Sequence, residues 1–195
     1  MIGKISNGIY YIRGDYNVYF IIDGSTGILI NSSNGEDSNL IIQGIEEILS
    51  NYDYNIDVKY LILTDHYEET AGGASYIAYF FNIPYIVSSS EEAILIRKGA
   101  GKNRRYNPVN VNLEIKNKIS DMENLKIIKA NSPSIGSLLV LYKNIIFSGT
   151  NNLSGIINKI NYICNDYECK KVEEPWYLKR FVAHVEGLQK QNIVK

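Results

Sequence analysis

Residues Leu61 to Ala74 read LILTDHYEETAGGA, and this stretch holds the change of pattern that decides the fold. A run of strand-forming apolar residues ends at Thr64, and polar and acidic side chains follow it. Gly72 and Gly73 then open a segment in which apolar residues recur at helical spacing. The pattern predicts a strand, a polar turn and a helix, so that residues 65–70 form a site at the carboxyl end of the strand.

Length and composition indicate one soluble globular domain over residues 1–195. The chain is 45% hydrophobic and 21% charged, which is enough apolar material for a sizeable core. Twenty basic and twenty-one acidic residues give a net charge of −1, so a polyanionic partner would have to bind a local patch. Residues 1–16 contain neither the apolar centre of a signal peptide nor a membrane span. We therefore expect a cytoplasmic protein with no membrane contact.

Histidine and cysteine are scarce in this chain. The two cysteines, Cys164 and Cys169, match neither a zinc finger nor a disulfide framework, so we expect free thiols, with a local disulfide as the alternative. Only His66 and His184 supply imidazole, the side chain most used for metal binding and for proton transfer near neutral pH. We expect His66 to be a surface or hydrogen-bonded residue and His184 to be structural.

The first half of the chain alternates strand and helix patterns. Short β-branched and aromatic runs predict strands at 9–13, 18–23, 27–31, 58–63 and 84–87. Apolar residues at helical spacing predict a helix over 38–51 and a buried helix over 74–82. Ser89 and Glu92 have the spacing of a capping box, which predicts a short helix after them.

The second half is dominated by strands. Four strand-like runs occur at 111–119, 124–130, 137–143 and 144–149, and Lys143-Asn144 predicts a tight hairpin. The tail over 172–191 has apolar residues at helical spacing and predicts one closing helix. This order of elements predicts an α/β fold with two sheets and helices packed outside them, a four-layer α/β/β/α sandwich.

Four segments resemble motifs of the metallo-β-lactamase superfamily. Residues 64–73 resemble its T-H-x-H-x-D-H-x-G-G signature, and residues 27–33 resemble its second-strand motif, with Asn31 where Asp is common. Residues 132–137 are similar to the H-T-P-G-S segment, and residues 147–150 to the F-x-G-D ending. Asn165-Asp166 is the nearest counterpart of the C-terminal G-H-G motif. The resemblance implies the sandwich fold of that family.

The residues at the ligand positions differ from those of the family. The resemblance places Asp65, Tyr67, Glu69, Thr70, Pro133 and Thr150 at positions where the family carries metal ligands. A hydrolytic zinc site needs about three nitrogen or anionic ligands and one open position. Threonine hydroxyls are weak neutral donors and proline offers none, so the sequence predicts no metal and no cofactor. A single hard ion held by Asp65, His66, Glu68, Glu69 and Asp166 is an alternative. We prefer a solvated acidic loop that caps the next helix.

A second cluster of interest is basic. Residues 97–108 read RKGAGKNRRYNP, which is typical of a surface loop. Clustered cations beside Tyr106 are able to track a phosphate backbone and stack a base. The residues in question are Arg97, Lys98, Lys102, Arg104 and Arg105.

Three functional hypotheses follow. The leading one is a catalytically inactive protein of this fold that acts as a cytoplasmic binding or regulatory module, through a protein partner or as a homodimer. The first alternative is a divergent hydrolase with a rebuilt site around Asp65, His66 and Glu69. The second alternative is nucleic-acid binding through the loop 97–105. The weaker candidates for ligand-binding side chains are Tyr67, Thr70, Thr150, Arg104 and Arg105.

Overall fold

A computed structural model describes residues 1–52, 55–130, 132–149 and 162–171. The strands are β1 (Ile2–Ser6), β2 (Ile9–Arg13), β3 (Asn17–Asp23), β4 (Thr26–Ile30), β5 (Asp57–Ile62), β6 (Tyr85–Ser89), β7 (Leu113–Ile115), β8 (Ile119–Met122), β9 (Leu125–Lys129), β10 (Leu138–Tyr142), β11 (Ile145–Phe147), β12 (Tyr162–Cys164) and β13 (Cys169–Lys171). The helices are α1 (Ser38–Ser50), α2 (Glu68–Ala71), α3 (Ala74–Phe80) and α4 (Ser90–Ile96).

The first sheet contains β1 to β7 in sequence order. Its first four strands pair antiparallel because short turns join them. From β4 onward the pairs are parallel, because helices carry the chain back across the outer face. The carboxyl ends of β4, β5 and β6 therefore lie side by side at one edge of this sheet.

The second sheet has the order β13-β12-β11-β10-β9-β8. Strands β10 and β11 form the predicted hairpin, in which Tyr142 pairs with Ile145 and Lys143 adopts a positive φ of 54°. Strand β12 runs parallel to β11, so its carboxyl end lies beside the end of β11. This places the turn after β12 next to the loops that follow β4 and β5, where it contacts them through Asn31 and Thr70.

Side chains of the first sheet alternate between two cores. Val18, Phe20 and Leu29 pack against the four helices, whereas Tyr19 and Ile21 pack against the second sheet. This period-2 alternation is expected for a sheet buried on both faces. Two stacked sheets with helices outside confirm the predicted sandwich. The helix predicted over 172–191, which would cover the other sheet, lies outside the described residues.

Two glycines let two backbone segments touch at the predicted site. A Cβ atom at Gly72 would lie 2.3 Å from the carbonyl oxygen of Asn34, and one at Gly73 would lie 2.3 Å from that of Ser32. Real Cβ atoms do not approach an oxygen this closely, so any side chain would separate the segments. The Gly73 N–H donates to the carbonyl of Ser33 at 3.1 Å.

Three predictions of local structure were wrong. Strand β1 lies in a stretch where we predicted no element, and it pairs along the whole of β2. The run 111–119 is not one strand: β7 and β8 belong to different sheets and the chain turns between them. Helix α3 is not buried, because only Ala74 and Ile77 face the core while Tyr79 is 82% exposed. No helix in the described ranges is long and apolar enough to cross a membrane.

The expectation of free thiols was also wrong. Cys164 and Cys169 are directly opposed on β12 and β13 and form a disulfide. The physical reason is the hairpin, since a short turn between two strands brings both ends of the turn to facing positions. The local disulfide that we kept as the alternative is the one observed.

Truncation of a buried isoleucine side chain tests the packing of α1 against the first sheet. Ile45→Ala should lower the free energy of unfolding by about 2–5 kcal/mol, because Ile45 is fully buried. Leu40→Ala on the same helix is the matched control; Leu40 is 42% exposed, so the loss should be within about 0.5 kcal/mol. Urea unfolding measures both. Equal losses in the two variants would contradict this account of the core.

Candidate functional site

The candidate site lies where strands of both sheets end. Asn31 follows β4, Thr64 and Asp65 follow β5, and Asp166 follows β12 of the second sheet. Asn31 adopts a positive φ of 63°, a conformation that asparagine tolerates better than most residues. All four side chains are buried.

A hydrogen-bond network joins these side chains. Asn31 Nδ2 donates to Asp166 Oδ1 at 2.8 Å, and Asn31 Oδ1 accepts from the N–H and the hydroxyl of Thr64 at 3.1 and 3.0 Å. The hydroxyl of Thr70 donates to Asp166 Oδ2 at 3.3 Å. Both oxygens of the Asp166 carboxyl are therefore engaged by neutral donors from the first sheet.

Asp166 is held in an environment that favours its protonated form. The side chain is 1% exposed, and burial, followed by the charge of Asp65, raises the pKa of Asp166 well above its usual range. The hydrogen bonds from Asn31 and Thr70 act in the opposite direction, and the nearby charge of Glu69 raises the pKa further. The carboxyl of Asp166 therefore keeps its proton at pH values at which an exposed aspartate has lost it.

The predicted catalytic trio is split by the structure. Asp65 is 0% exposed and accepts the N–H of Tyr67 at 3.0 Å, and Asp65 and Glu69 both lie within electrostatic reach of Asp166. One oxygen of Glu69 is buried and has no hydrogen-bond partner among the residues that the structure describes. His66 is not part of this group, because its ring is bonded to Glu92 on α4.

Glu92 is the functional candidate that the sequence analysis missed. It was assigned only to a capping box, and Ser89 Oγ does accept the N–H of Glu92 at 3.2 Å as predicted. Glu92 is only 2% exposed. Its carboxylate accepts hydrogen bonds from the backbone N–H and from ring Nδ1 of His66, at 2.8 and 2.5 Å. It also accepts the hydroxyl of Ser134 at 2.8 Å and the N–H of Gly136 at 3.0 Å. Its position one turn before the buried Ile96 was the signal that it faces inward.

The Glu92 carboxylate is ionised and fixes the orientation of His66. Burial raises its pKa, but the bonds from His66 and Ser134 outweigh burial and lower the pKa of Glu92 below its usual value. Tyr106 donates its hydroxyl to the His66 carbonyl at 2.9 Å, which holds the backbone of that residue too. His66 is therefore hydrogen-bonded, as predicted, and its Nε2 has no hydrogen-bond partner in the part of the chain that the structure describes.

The solvated acidic loop that we predicted is not what forms. Asp65 is fully buried, and Glu68 is buried because its carboxylate accepts the N–H groups of Lys102 and Asn103 at 2.7 and 3.1 Å. These bonds attach the basic loop to α2. Burial is the main influence on Glu68, and the backbone N–H donors still lower its pKa below the usual value.

The cations of the basic loop are partly neutralised. Arg97 pairs with Glu114 at 2.7 Å, and Arg104 pairs with Glu36. Lys102 Nζ lies 5.1 Å from the ring centre of Tyr67. Lys98 and Arg105 form no ion pair within the described ranges.

The remaining candidates are placed as follows. Tyr67 is partly exposed and donates its hydroxyl to the Pro133 carbonyl at 3.4 Å, and Thr70 lies buried in the Asp166 network. Thr150 lies outside the described residues.

The donors at these positions do not match the ligand set that the fold family implies. The residues at the histidine positions of the family are Asp65, Tyr67, Thr70 and Pro133, which offer a carboxylate, a phenol, one hydroxyl and no donor. The Thr70 hydroxyl is hydrogen-bonded to Asp166. Among the described residues, no group of three or more His, Cys, Asp or Glu side chains is arranged to hold a metal ion. We derive no chemical step through a metal at this site.

Comparison with known proteins shows the fold. No family model matches the chain, and no curated protein matches its sequence. A metallo-beta-lactamase with a HARLDQ motif from Cronobacter sakazakii superposes with a TM-score of 0.72 at 13% identity, covering 98% of this chain and 93% of that one. The metallo-beta-lactamase MIM-1 from Novosphingobium pentaromativorans gives 0.72 at 10% identity, over 85% and 76%. A B3 metallo-beta-lactamase with an active-site glutamic acid gives 0.70 at 12% identity, over 100% and 92%.

The proton on Asp166 generates a pH-dependent prediction. Because the folded-state pKa is raised, the protonated carboxyl contributes stability that is full below about pH 4 and is lost as the pH rises through that raised value. Asp166→Asn keeps the shape and the acceptor for Asn31 but cannot ionise. Its free energy of unfolding relative to the wild type should therefore increase between about pH 5 and pH 8.

Asp166→Ala is the control for this experiment. It leaves the amide of Asn31 and the hydroxyl of Thr70 without an acceptor and cannot ionise, so it should be less stable than Asp166→Asn by about 1–3 kcal/mol at every pH. Urea unfolding at several pH values measures both variants. A difference between Asp166→Asn and the wild type that does not change with pH would contradict the protonated state.

Proposed function

We propose that this chain, which has the metallo-β-lactamase fold, is not a metal-dependent hydrolase and acts as a binding or regulatory module. The observation that carries the proposal is the closed network of Asn31, Thr64, Thr70 and Asp166. Thr70, which stands at a position where the fold family binds metal, is bonded to Asp166, and the network joins the two sheets. Their role in this proposal is structural.

The chemistry of these donors supports the proposal. A metal that activates water needs ligands with free lone pairs and an open coordination position. Both oxygens of Asp166 are already occupied by hydrogen-bond donors, and the hydroxyl of Thr70 is one of those donors. Displacing these bonds would leave the amide of Asn31 buried without an acceptor, which disfavours ion entry.

A protein partner or a second copy of the chain is the proposed binding target. Helix α3 exposes the aromatic side chains of Tyr76, Tyr79 and Phe80, and the loop before β10 exposes Ile135. Aromatic residues are enriched in protein interfaces, so these side chains support a protein partner over a small solute. The cytoplasm is the proposed compartment. There, a disulfide such as Cys164–Cys169 would be transient or redox-responsive, because cellular reductants keep thiols reduced.

Elemental analysis tests the main proposal. Protein purified without chelator should contain zinc, iron and manganese far below one ion per chain, because the Thr70 hydroxyl is already bonded to Asp166 and neither this hydroxyl nor the Tyr67 phenol is a strong metal ligand. A zinc enzyme carried through the same buffers is the control for metal loss. Near-stoichiometric metal in this protein, with hydrolysis that a chelator abolishes, would overturn the proposal.

One observation favours a second candidate, a hydrolase that works without metal. The ionised Glu92 accepts the Nδ1 proton of His66, which leaves Nε2 as the basic nitrogen of an oriented imidazole. The His66 side chain is 14% exposed, so part of it is in contact with solvent. An imidazole held in this way by a carboxylate is suited to general base catalysis. This keeps His66 of the rebuilt-site hypothesis and replaces its carboxylate partners by Glu92.

Substitution of the pair tests this second candidate. If the wild type cleaves activated esters or thioesters, His66→Ala and Glu92→Gln should each lower kcat by about 10²-fold or more, because the base or its orientation is lost. Lys98→Ala, an exposed change on the basic loop, is the control and should leave kcat unchanged. No cleavage by the wild type, or equal rates in all variants, would exclude this candidate.

Nucleic-acid binding through 97–105 has less support than either candidate. Arg97 and Arg104 are neutralised by Glu114 and Glu36, and the carboxylate of Glu68 lies under the backbone of Lys102. A track for a phosphate backbone needs several free cations in a row. Among the described residues, the cations of this loop that form no ion pair are Lys98, Lys102 and Arg105, and Lys102 lies against the ring of Tyr67.

A further inference from the structure

We propose that the Cys164–Cys169 disulfide is a site of thiol–disulfide exchange with a dithiol, and that its redox state controls how firmly Asp166 is held in the buried network. This inference does not depend on the function proposed above. It rests on the position of the disulfide, on the turn that it closes and on the pocket beside it.

The turn between the two cysteines carries the central group of the site. Asp166 is the second of its four residues, and its side chain is bonded to Asn31, which follows β4 of the first sheet, and to Thr70 of α2. The backbone of Asp166 is bound as well, because its carbonyl accepts the N–H of Asn17 at 2.7 Å and its N–H donates to Gly149 at 3.1 Å. A shift of this turn would therefore change the contact between the two sheets.

The disulfide cross-links the hairpin of β12 and β13, which is short. Strands β12 and β13 have three residues each, and within the described residues β13 stands at the edge of its sheet and pairs only with β12. The turn is also held by the Tyr19 hydroxyl, which donates to the Asn165 carbonyl at 2.5 Å. Short edge hairpins open at low free-energy cost, so breaking the cross-link should loosen this turn before the rest of the sheet.

The two sulfur atoms differ in access. Cys164 is fully buried, whereas Cys169 is partly exposed and lines a surface pocket of about 350 Å³. The other residues that line the pocket are Tyr11, Arg13, Asn17, Tyr167 and Glu168. A nucleophile from solvent therefore meets Cys169 first.

The pocket attracts an anionic nucleophile. Arg13 is exposed and pairs with no carboxylate in the described part of the chain, so its guanidinium is available to a thiolate. The carboxylate of Glu168, on the same rim, is paired with Lys170 at 2.7 Å, which reduces its repulsion. A cation next to the site of attack raises the local concentration of thiolate.

The exchange proceeds in two balanced steps. A thiolate of the dithiol attacks Cys169 Sγ and forms a mixed disulfide; the Sγ–Sγ bond breaks, and its electron pair leaves on Cys164 Sγ, which takes up a proton. The second thiolate of the dithiol then attacks the dithiol sulfur of the mixed disulfide. The bond between that sulfur and Cys169 Sγ breaks, and Cys169 is released as a thiolate. The protein gains two electrons, and the dithiol is oxidised to a cyclic disulfide.

Alkylation and hydrogen exchange test the proposal together. Protein purified without reductant should accept no alkyl groups at its cysteines, and two after dithiothreitol. Reduction should speed deuterium exchange at the Asn17 amide and at amides 165–170 by about tenfold or more, with no change in α1, which packs in the other core. Two alkylated cysteines before reduction, or equal exchange in both redox states, would overturn it.

Two sets of variants sharpen the result. Cys164→Ser/Cys169→Ser should exchange at the rate of the reduced wild type with or without dithiothreitol; slow exchange in this variant would overturn the link to Asp166. At low ionic strength Arg13→Gln should slow reduction by about two- to fivefold, whereas Arg13→Lys, which keeps the charge, should stay near the wild-type rate. An unchanged rate in Arg13→Gln would exclude the pocket as the route of attack.

Discussion

The side-chain amide of Asn31 is the contact on which the arrangement of the strand ends depends. Its oxygen accepts the N–H of Thr64 at the start of the loop after β5, and its nitrogen donates to Asp166, which follows a strand of the other sheet. An aspartate at 31 would have no hydrogen to donate and would add a third carboxylate beside Asp65 and Asp166. The amide at 31 and the buried acid at 166 are therefore matched to each other.

Buried carboxylates elsewhere in the site serve as anchors for loops. Glu68 binds two backbone N–H groups of the basic loop, and Glu92 binds His66 together with the loop before β10. A carboxylate that receives several N–H donors is stable when buried, because the donors replace its water. The carboxylates of Glu68 and Glu92, two of the acidic groups that make this region resemble a cation site in sequence, are thus engaged by hydrogen bonds within the chain.

The parts of the fold that follow from local pattern were predictable. The hairpin at Lys143-Asn144 and the cap at Ser89 depend on residues close in sequence, and they form as expected. The parts that failed depend on distant contacts. Nothing near Glu92 in sequence reveals that it meets His66 and Ser134, and nothing within 111–119 reveals that its two ends join different sheets. The exposed aromatic face of α3 likewise depends on which elements pack against it.

The two glycines at 72 and 73 have a consequence for how such chains diverge. Their role is to let two backbones touch, so it is independent of which atoms stand between 65 and 70. Substitutions are therefore able to replace the metal-binding side chains of such a chain one after another, while both positions must remain glycine. A glycine pair placed after a strand in this way is therefore a sign of the fold, whereas the residues before it determine the chemistry of the site.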